Sequence, residues 1–167
     1  GFDDFYGFLE AGLNYLPEKV KLNHLSQATR RWVWYSLKVV HNRKIIDIDH
    51  YLTDELTDAG NRFIESSASE KEPFFLYLAY NAPHASLQAT EKYLSRFPNI
   101  KDKKRKTYAA MVSCVDDGVG RVLDTLRKHD IEDDTIIFFL SDNGGPESKN
   151  SSDNGHLKVG KSNLFEG

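Results

Sequence analysis

Three features of the sequence predict an α/β fold, with a mainly parallel sheet flanked by helices. Two runs, Phe74–Tyr80 (FFLYLAY) and Thr135–Leu140 (TIIFFL), are continuously aliphatic, aromatic or β-branched. That pattern belongs to strands buried on both faces. A long connection and a helical pattern lie between the runs, which implies a βαβ crossover. Each run also stops abruptly on residues that carry chemistry: Asn81-Ala82-Pro83-His84 after the first and Ser141-Asp142-Asn143-Gly144-Gly145 after the second. Ligands of open α/β sheets sit outside the carboxyl ends of the strands. A site is therefore expected at these two turns.

The chain has 167 residues, 40% of them hydrophobic and 28% charged, with a net charge of −3. One domain with a sizeable core accounts for that composition. The charge is too small to point to nucleic acid. No apolar run approaches the ~20 residues of a membrane-spanning helix. A single cysteine, Cys114, excludes an internal disulfide framework and a cysteine-built zinc site.

Taken in order, Gly1–Pro17 is aromatic and glycine-rich without a clean period, so it reads as irregular loop, with Gly7 and Gly12 at tight backbone positions. Arg30–Tyr35 mixes basic and aromatic residues, which suits either stacked rings or a half-buried strand. Two short β-branched runs within Leu37–Ile48 flank His41-Asn42-Arg43-Lys44 and predict a hairpin. Thr53 is expected to cap a helix whose acidic first turn is Asp54-Glu55 and whose apolar face is Leu56, Gly60, Phe63 and Ile64. A short helix is expected around Glu91–Arg96. The basic cluster KDKKRK, Lys101–Lys106, reads as the solvated start of a helix running from about Arg105 to Lys128. Tyr108, Val112, Val115, Val119, Val122 and Leu126 form its apolar stripe, with Asp116 beside them and partly buried. Gly118 and Gly120 each cost about 1 kcal/mol inside a helix, so a close approach by a neighbouring layer is expected there. Cys114 has no basic neighbour in sequence and reads as a buried, inert thiol.

Asp142 and Asn143 offer hard oxygen ligands to a cation, although Asp, Asn and Gly also make ordinary polar turns. His84, set behind Pro83, is a candidate for the same rim or a plain surface residue. His156, Lys158 and Lys161 lie in a glycine-containing loop that suits an anion, and the sequence does not choose among them. Asn150-Ser151-Ser152 matches a glycosylation acceptor.

Four stretches together resemble the sulfatases, the arylsulfatase-like branch of the alkaline phosphatase superfamily. They are GFDDFYGFLEAG, PFFLYLAYNAPHASLQATEKYL, YAAMVSCVDDGVGRVLDTLR, and IIFFLSDNGG taken with LKVGKSNLFEG. The resemblance covers nearly the whole chain and implies an alkaline-phosphatase-like sheet. It implies that His84 contacts the sulfate group. Asp142 and Asn143 would be two ligands of a divalent cation, commonly calcium. Lys161 would bind a sulfate oxygen and the leaving-group side. Ser162 and His156 depart from the family pattern, which often has Gly and Pro there.

The family's formylglycine nucleophile arises from Cys or Ser in a Cys/Ser-x-Pro-x-Arg motif, and no such motif occurs among the 167 residues. Residues 1–167 are therefore expected to be an internal part of a sulfatase catalytic domain, inactive alone, with the formylglycine in a preceding segment. The resemblance implies a sulfated small molecule or sulfated carbohydrate as substrate and a secreted, periplasmic or lysosomal setting. A phosphoester or phosphonate hydrolase of the same superfamily, and a non-catalytic sulfated-glycan-binding domain, stay open as alternatives.

Overall fold

The computed structural model describes residues 1–9, 14–20 and 39–163. Gly12 and the Arg30–Tyr35 stretch lie outside these. The elements in order are β1 (Tyr6–Gly7), α1 (Pro17–Val20), β2 (Val39–His41), β3 (Lys44–Ile46), α2 (Leu52–Glu70), α3 (Glu91–Leu94), α4 (Lys103–Lys128) and α5 (Glu147–Asn150). No helix among the described residues is long and apolar enough to cross a membrane.

The expected hairpin forms. β2 and β3 pair antiparallel with His41 opposite Lys44, and β1 joins the other side of β2. Asn42 takes the left-handed conformation, φ 56°, that the tight turn requires. Its side chain accepts the Phe5 N–H at 2.9 Å, which fixes β1 beside the turn.

α2 begins two residues earlier than a Thr53 cap implies, and Thr53 does not cap it. The cap position is Tyr51, without a side-chain bond, while Thr53 is fully buried in the first turn. Glu55 meets the free donors instead. Its Oε1 accepts the backbone N–H groups of Asp49 and His50 at 3.3 and 3.1 Å, and its Oε2 accepts the Tyr6 hydroxyl at 3.2 Å. A carboxylate reaching back from the first turn thus ties the segment before the helix to it.

α4 starts at Lys103, where Asp102 accepts the Arg105 N–H at 2.7 Å. The KDKKRK cluster is thus a capped helix start, as expected. The buried face differs from the predicted stripe. It consists of Ala110, Met111, Cys114, Gly118, Thr125 and Leu126, whereas Val112 is 42% exposed and Asp116 is also exposed. Small residues four apart, Ala110, Cys114 and Gly118, let a neighbour approach the helix backbone. A Cβ built on Gly118 would stand 2.7 Å from both Thr57 Oγ1 and Tyr80 Oη. The close approach therefore exists at Gly118. Gly120 faces open space, so packing does not explain it.

The core runs between α2 and α4 and holds three tyrosines in series. Tyr15 stacks on Tyr51 at 5.7 Å, and Tyr51 meets Tyr93 at 6.2 Å between ring centroids. Each pair adds about 0.5–1.5 kcal/mol beyond burial. Cys114 is buried among them, and burial pushes its thiol up to about 12. It is the inert thiol expected.

The two apolar runs carry no ladder among the described residues, and they are not buried on both faces. Phe74, Leu76, Leu78 and Tyr80 are half-buried, and they alternate with exposed Phe75, Tyr77 and Ala79. That is the period of an extended chain with one covered face. The covered face packs on the helices: Phe74 meets Phe63 edge-on at 5.8 Å, Leu76 and Leu78 lie over Gly60, and Tyr80 lies over Gly118. Ile136, Phe138 and Leu140 are more than 80% exposed. Burial on both faces requires a layer on each side, and the described helices provide one.

Candidate active site

His84 sits in the loop that leaves the first apolar run. Its backbone N–H bonds to Asn81 O at 2.9 Å, closing a turn. The loop is pinned from below by the tyrosine core. The Tyr15 hydroxyl lies 2.8 Å from Asn81 O and 2.9 Å from His84 O. The Tyr51 hydroxyl donates to Gln88 O at 2.7 Å, and the Gln88 side chain accepts the Tyr15 N–H at 2.9 Å and donates to Asn14 at 2.8 Å. Imidazole Nδ1 lies 2.6 Å from Ala85 O. A carbonyl only accepts, so Nδ1 carries the hydrogen and Nε2 is the lone-pair nitrogen of the neutral ring. The ring itself is exposed.

Asp142 and Asn143 form an exposed turn. Asp142 Oδ1 accepts the Asn143 N–H at 2.9 Å, and Asn143 Nδ2 donates to Gly144 O at 2.9 Å. The Ser141 hydroxyl closes on Asn143 O at 2.9 Å. The Asn143 Oδ1 and the Asp142 carboxylate come from neighbouring residues of one exposed turn. Two adjacent hard oxygens fit Ca²⁺ or a similar ion in chemistry. As a donor set they are two residues only, since no cluster of three or more His, Cys, Asp or Glu exists among the described residues.

The fold joins this turn to the lysine loop. Asn154 Oδ1 accepts the Gly145 N–H at 2.9 Å, and its Nδ2 donates to Gly145 O and Val159 O, both at 3.0 Å. Gly160 lies so close that a Cβ there would collide with Gly145 O. Asp142, Asn143 and Lys161 are thus carried on two backbones in contact. His84 is held by separate contacts, and no hydrogen bond or ion pair among the described residues links it to either loop. His156 and Lys158 are exposed, whereas Lys161 is half-buried beside Gly160. Asn150 is only 7% exposed, and its Oδ1 accepts the Ser152 N–H at 3.0 Å. That carboxamide caps its own turn in the folded chain.

A family model described as Sulfatase matches residues 1–166. The chain belongs to the sulfatase family. Among sulfatases it is 35% identical over 162 residues to Uncharacterized sulfatase YdeN of Escherichia coli (strain K12), covering 93% of this chain and 26% of that protein. It is 31% identical over 169 residues to Arylsulfatase J of Mus musculus, covering 100% of this chain and 27% of that one. The crystal structure of Ps i-CgsB in complex with k-i-k-neocarrahexaose matches with a TM-score of 0.92 at 44% identity, over 100% of this chain and 38% of that one. The architecture is accordingly a partial α/β domain of the alkaline-phosphatase-like kind. The sulfatase chain spans 26% and 27% of the two relatives' lengths.

Sequence reasoning missed Tyr15, Gln88 and Asn154, which hold the sulfatase loops. Asn154 falls in a polar tract, Pro146–Gly155, and only the close backbone approach singles it out. Tyr15 falls in an aromatic segment without a clean period, and nothing local sets it apart.

Proposed function

We propose that this chain forms part of the active site of a sulfate-ester hydrolase acting on a sulfated carbohydrate. The observation that carries the reading is the contact of the Asp142–Asn143 turn with the Lys161 loop, in a chain matched to the sulfatase model over residues 1–166. The carbohydrate class is supported by the oligosaccharide in the complex with a TM-score of 0.92. Residues 1–167 would be one part of the catalytic domain, and the formylglycine nucleophile would come from a segment outside them. The exposed apolar run Ile136–Leu140 is consistent with a further layer of that domain covering it.

In this reading Asp142 and Asn143 hold a divalent cation, Ca²⁺ by preference for hard oxygen donors. A cation held by these two residues would supply Lewis-acid polarisation of a sulfuryl oxygen. The Lys161 ammonium neutralises charge on a second oxygen, where a fixed donor is most effective as charge develops. His84, with Nδ1 held by Ala85 O, turns Nε2 to the ester, where in its protonated form it donates to the leaving oxygen.

The test is hydrolysis of a sulfated oligosaccharide by the sulfatase domain containing this chain. Asp142→Ala, Lys161→Ala and His84→Ala are each expected to lower kcat/KM by about 10²-fold or more. Unchanged hydrolysis in these variants overturns the assignment. A wild type that cleaves the matching phosphate ester in preference moves the reaction to phosphoester hydrolysis. Binding of the oligosaccharide without turnover identifies a binding domain.

A further inference from the structure

We propose that Asn154 is a positioning residue that locks the Asp142–Asn143 turn to the Lys161 loop, so that the cation and the ammonium address one anion together. The inference rests on the reading that the turn takes a divalent cation and that Lys161 takes a sulfate oxygen.

The Asn154 carboxamide is committed on both sides. Its oxygen accepts the Gly145 N–H at 2.9 Å, and its nitrogen donates to Gly145 O and Val159 O at 3.0 Å each. It therefore holds Gly145 by both backbone polar groups, as a neighbouring strand would. Gly145 follows Asp142 by three residues, and Val159 precedes Lys161 by two. Asn154 is itself fixed, because its N–H donates to Glu147 Oε1 at 2.8 Å and its carbonyl accepts Leu157 N–H at 3.2 Å. Sterics close the remaining freedom. A Cβ on Gly145 would overlap Ser152, and one on Gly160 would overlap Gly145 O and stand 2.7 Å from Asn154 Nδ2. The two loops cannot slide past each other while that carboxamide is in place. One acceptor and two donors in a planar group are needed. Aspartate supplies no donor, and leucine supplies neither.

The experiment compares wild type, Asn154→Asp and Asn154→Leu in the sulfatase domain containing this chain. It measures Ca²⁺ affinity by calorimetry, hydrogen exchange at the Gly145 amide, and KM and kcat. Both variants are expected to bind Ca²⁺ about 10–100-fold more weakly, the usual loss when a group supporting metal ligands is removed. The Gly145 amide is expected to exchange faster, and KM to rise. A lowered melting temperature with Ca²⁺ affinity within twofold of wild type reduces Asn154 to a structural residue and overturns the proposal. Should neither variant fold, the wild type still decides, since fast Gly145 exchange there overturns it and slow exchange supports it. A wild type that binds no Ca²⁺ and cleaves no sulfate ester removes the site reading and this inference together. Normal wild-type binding with an unaffected Asn154→Leu removes this inference alone.

Discussion

The Tyr15 hydroxyl lies 2.9 Å from the His84 carbonyl, joining residues 69 positions apart. Tyr15 is fully buried, and its phenol is held neutral because burial raises its pKa. A neutral phenol keeps its hydrogen for donation, which the Asn81 and His84 carbonyls share. Tyr15→Phe deletes that donor with little change in volume. The expected cost is about 1–3 kcal/mol of stability, read from denaturant midpoints. His84 should also show faster amide exchange than wild type, while Gly145 should not, because the two loops have separate supports. Equal exchange at His84 in both proteins would refute the role of Tyr15.

The two glycines of α4 offer an internal control. Gly120 faces open space, so Gly120→Ala should stabilise the chain by up to about 1 kcal/mol through helix propensity. Gly118→Ala gains the same propensity but places a methyl 2.7 Å from Thr57 Oγ1 and Tyr80 Oη. Those hydroxyls bond each other at 2.8 Å and would have to separate. Overpacking of this kind costs about 1–3 kcal/mol, so the net change should be destabilising. Thermal unfolding of both variants checks the difference in sign.

Glu55 predicts the acid limb of stability. Burial works to raise its carboxyl pKa, but hydrogen bonds from the His50 side chain, the backbone N–H groups of His50 and Asp49, and Tyr6 outweigh it and hold the pKa below the ordinary value of 4.5. A carboxylate with a depressed folded pKa stabilises fully above its unfolded pKa. That stability is lost as pH falls through the lower folded value. Stability should therefore decline below about pH 4.5, and the decline should be shallower in Glu55→Gln. Parallel pH profiles for the two proteins would show that Glu55 contributes nothing to the acid limb.

Local rules read from the sequence were right where the interaction partners are local. The hairpin at Asn42, the Asp102 cap of α4 and the polar turn at Asp142 each depend on residues within a few positions. Thr53 does not cap because the helix begins at Leu52, ahead of it, and packing buries Thr53 within the first turn. The stripe of α4 was rotated because side-chain hydrophobicity identified valines, while packing selected the small residues Ala110, Cys114 and Gly118. Closeness of approach is a property of two surfaces, and one sequence window describes only one of them.

The sequence by itself determined the family, the α/β class and His84, Asp142 and Asn143 as candidates from residue type and order along the chain, while Lys161 was chosen over His156 and Lys158 by the family resemblance. The tertiary structure alone decided which candidates share a support. Asp142, Asn143 and Lys161 ride on two loops bound by Asn154, while His84 rides on a loop bound by Tyr15. The physical reason is that a hydrogen bond or a steric contact acts over about 3 Å of space whatever the separation in sequence, and only the folded chain sets that space.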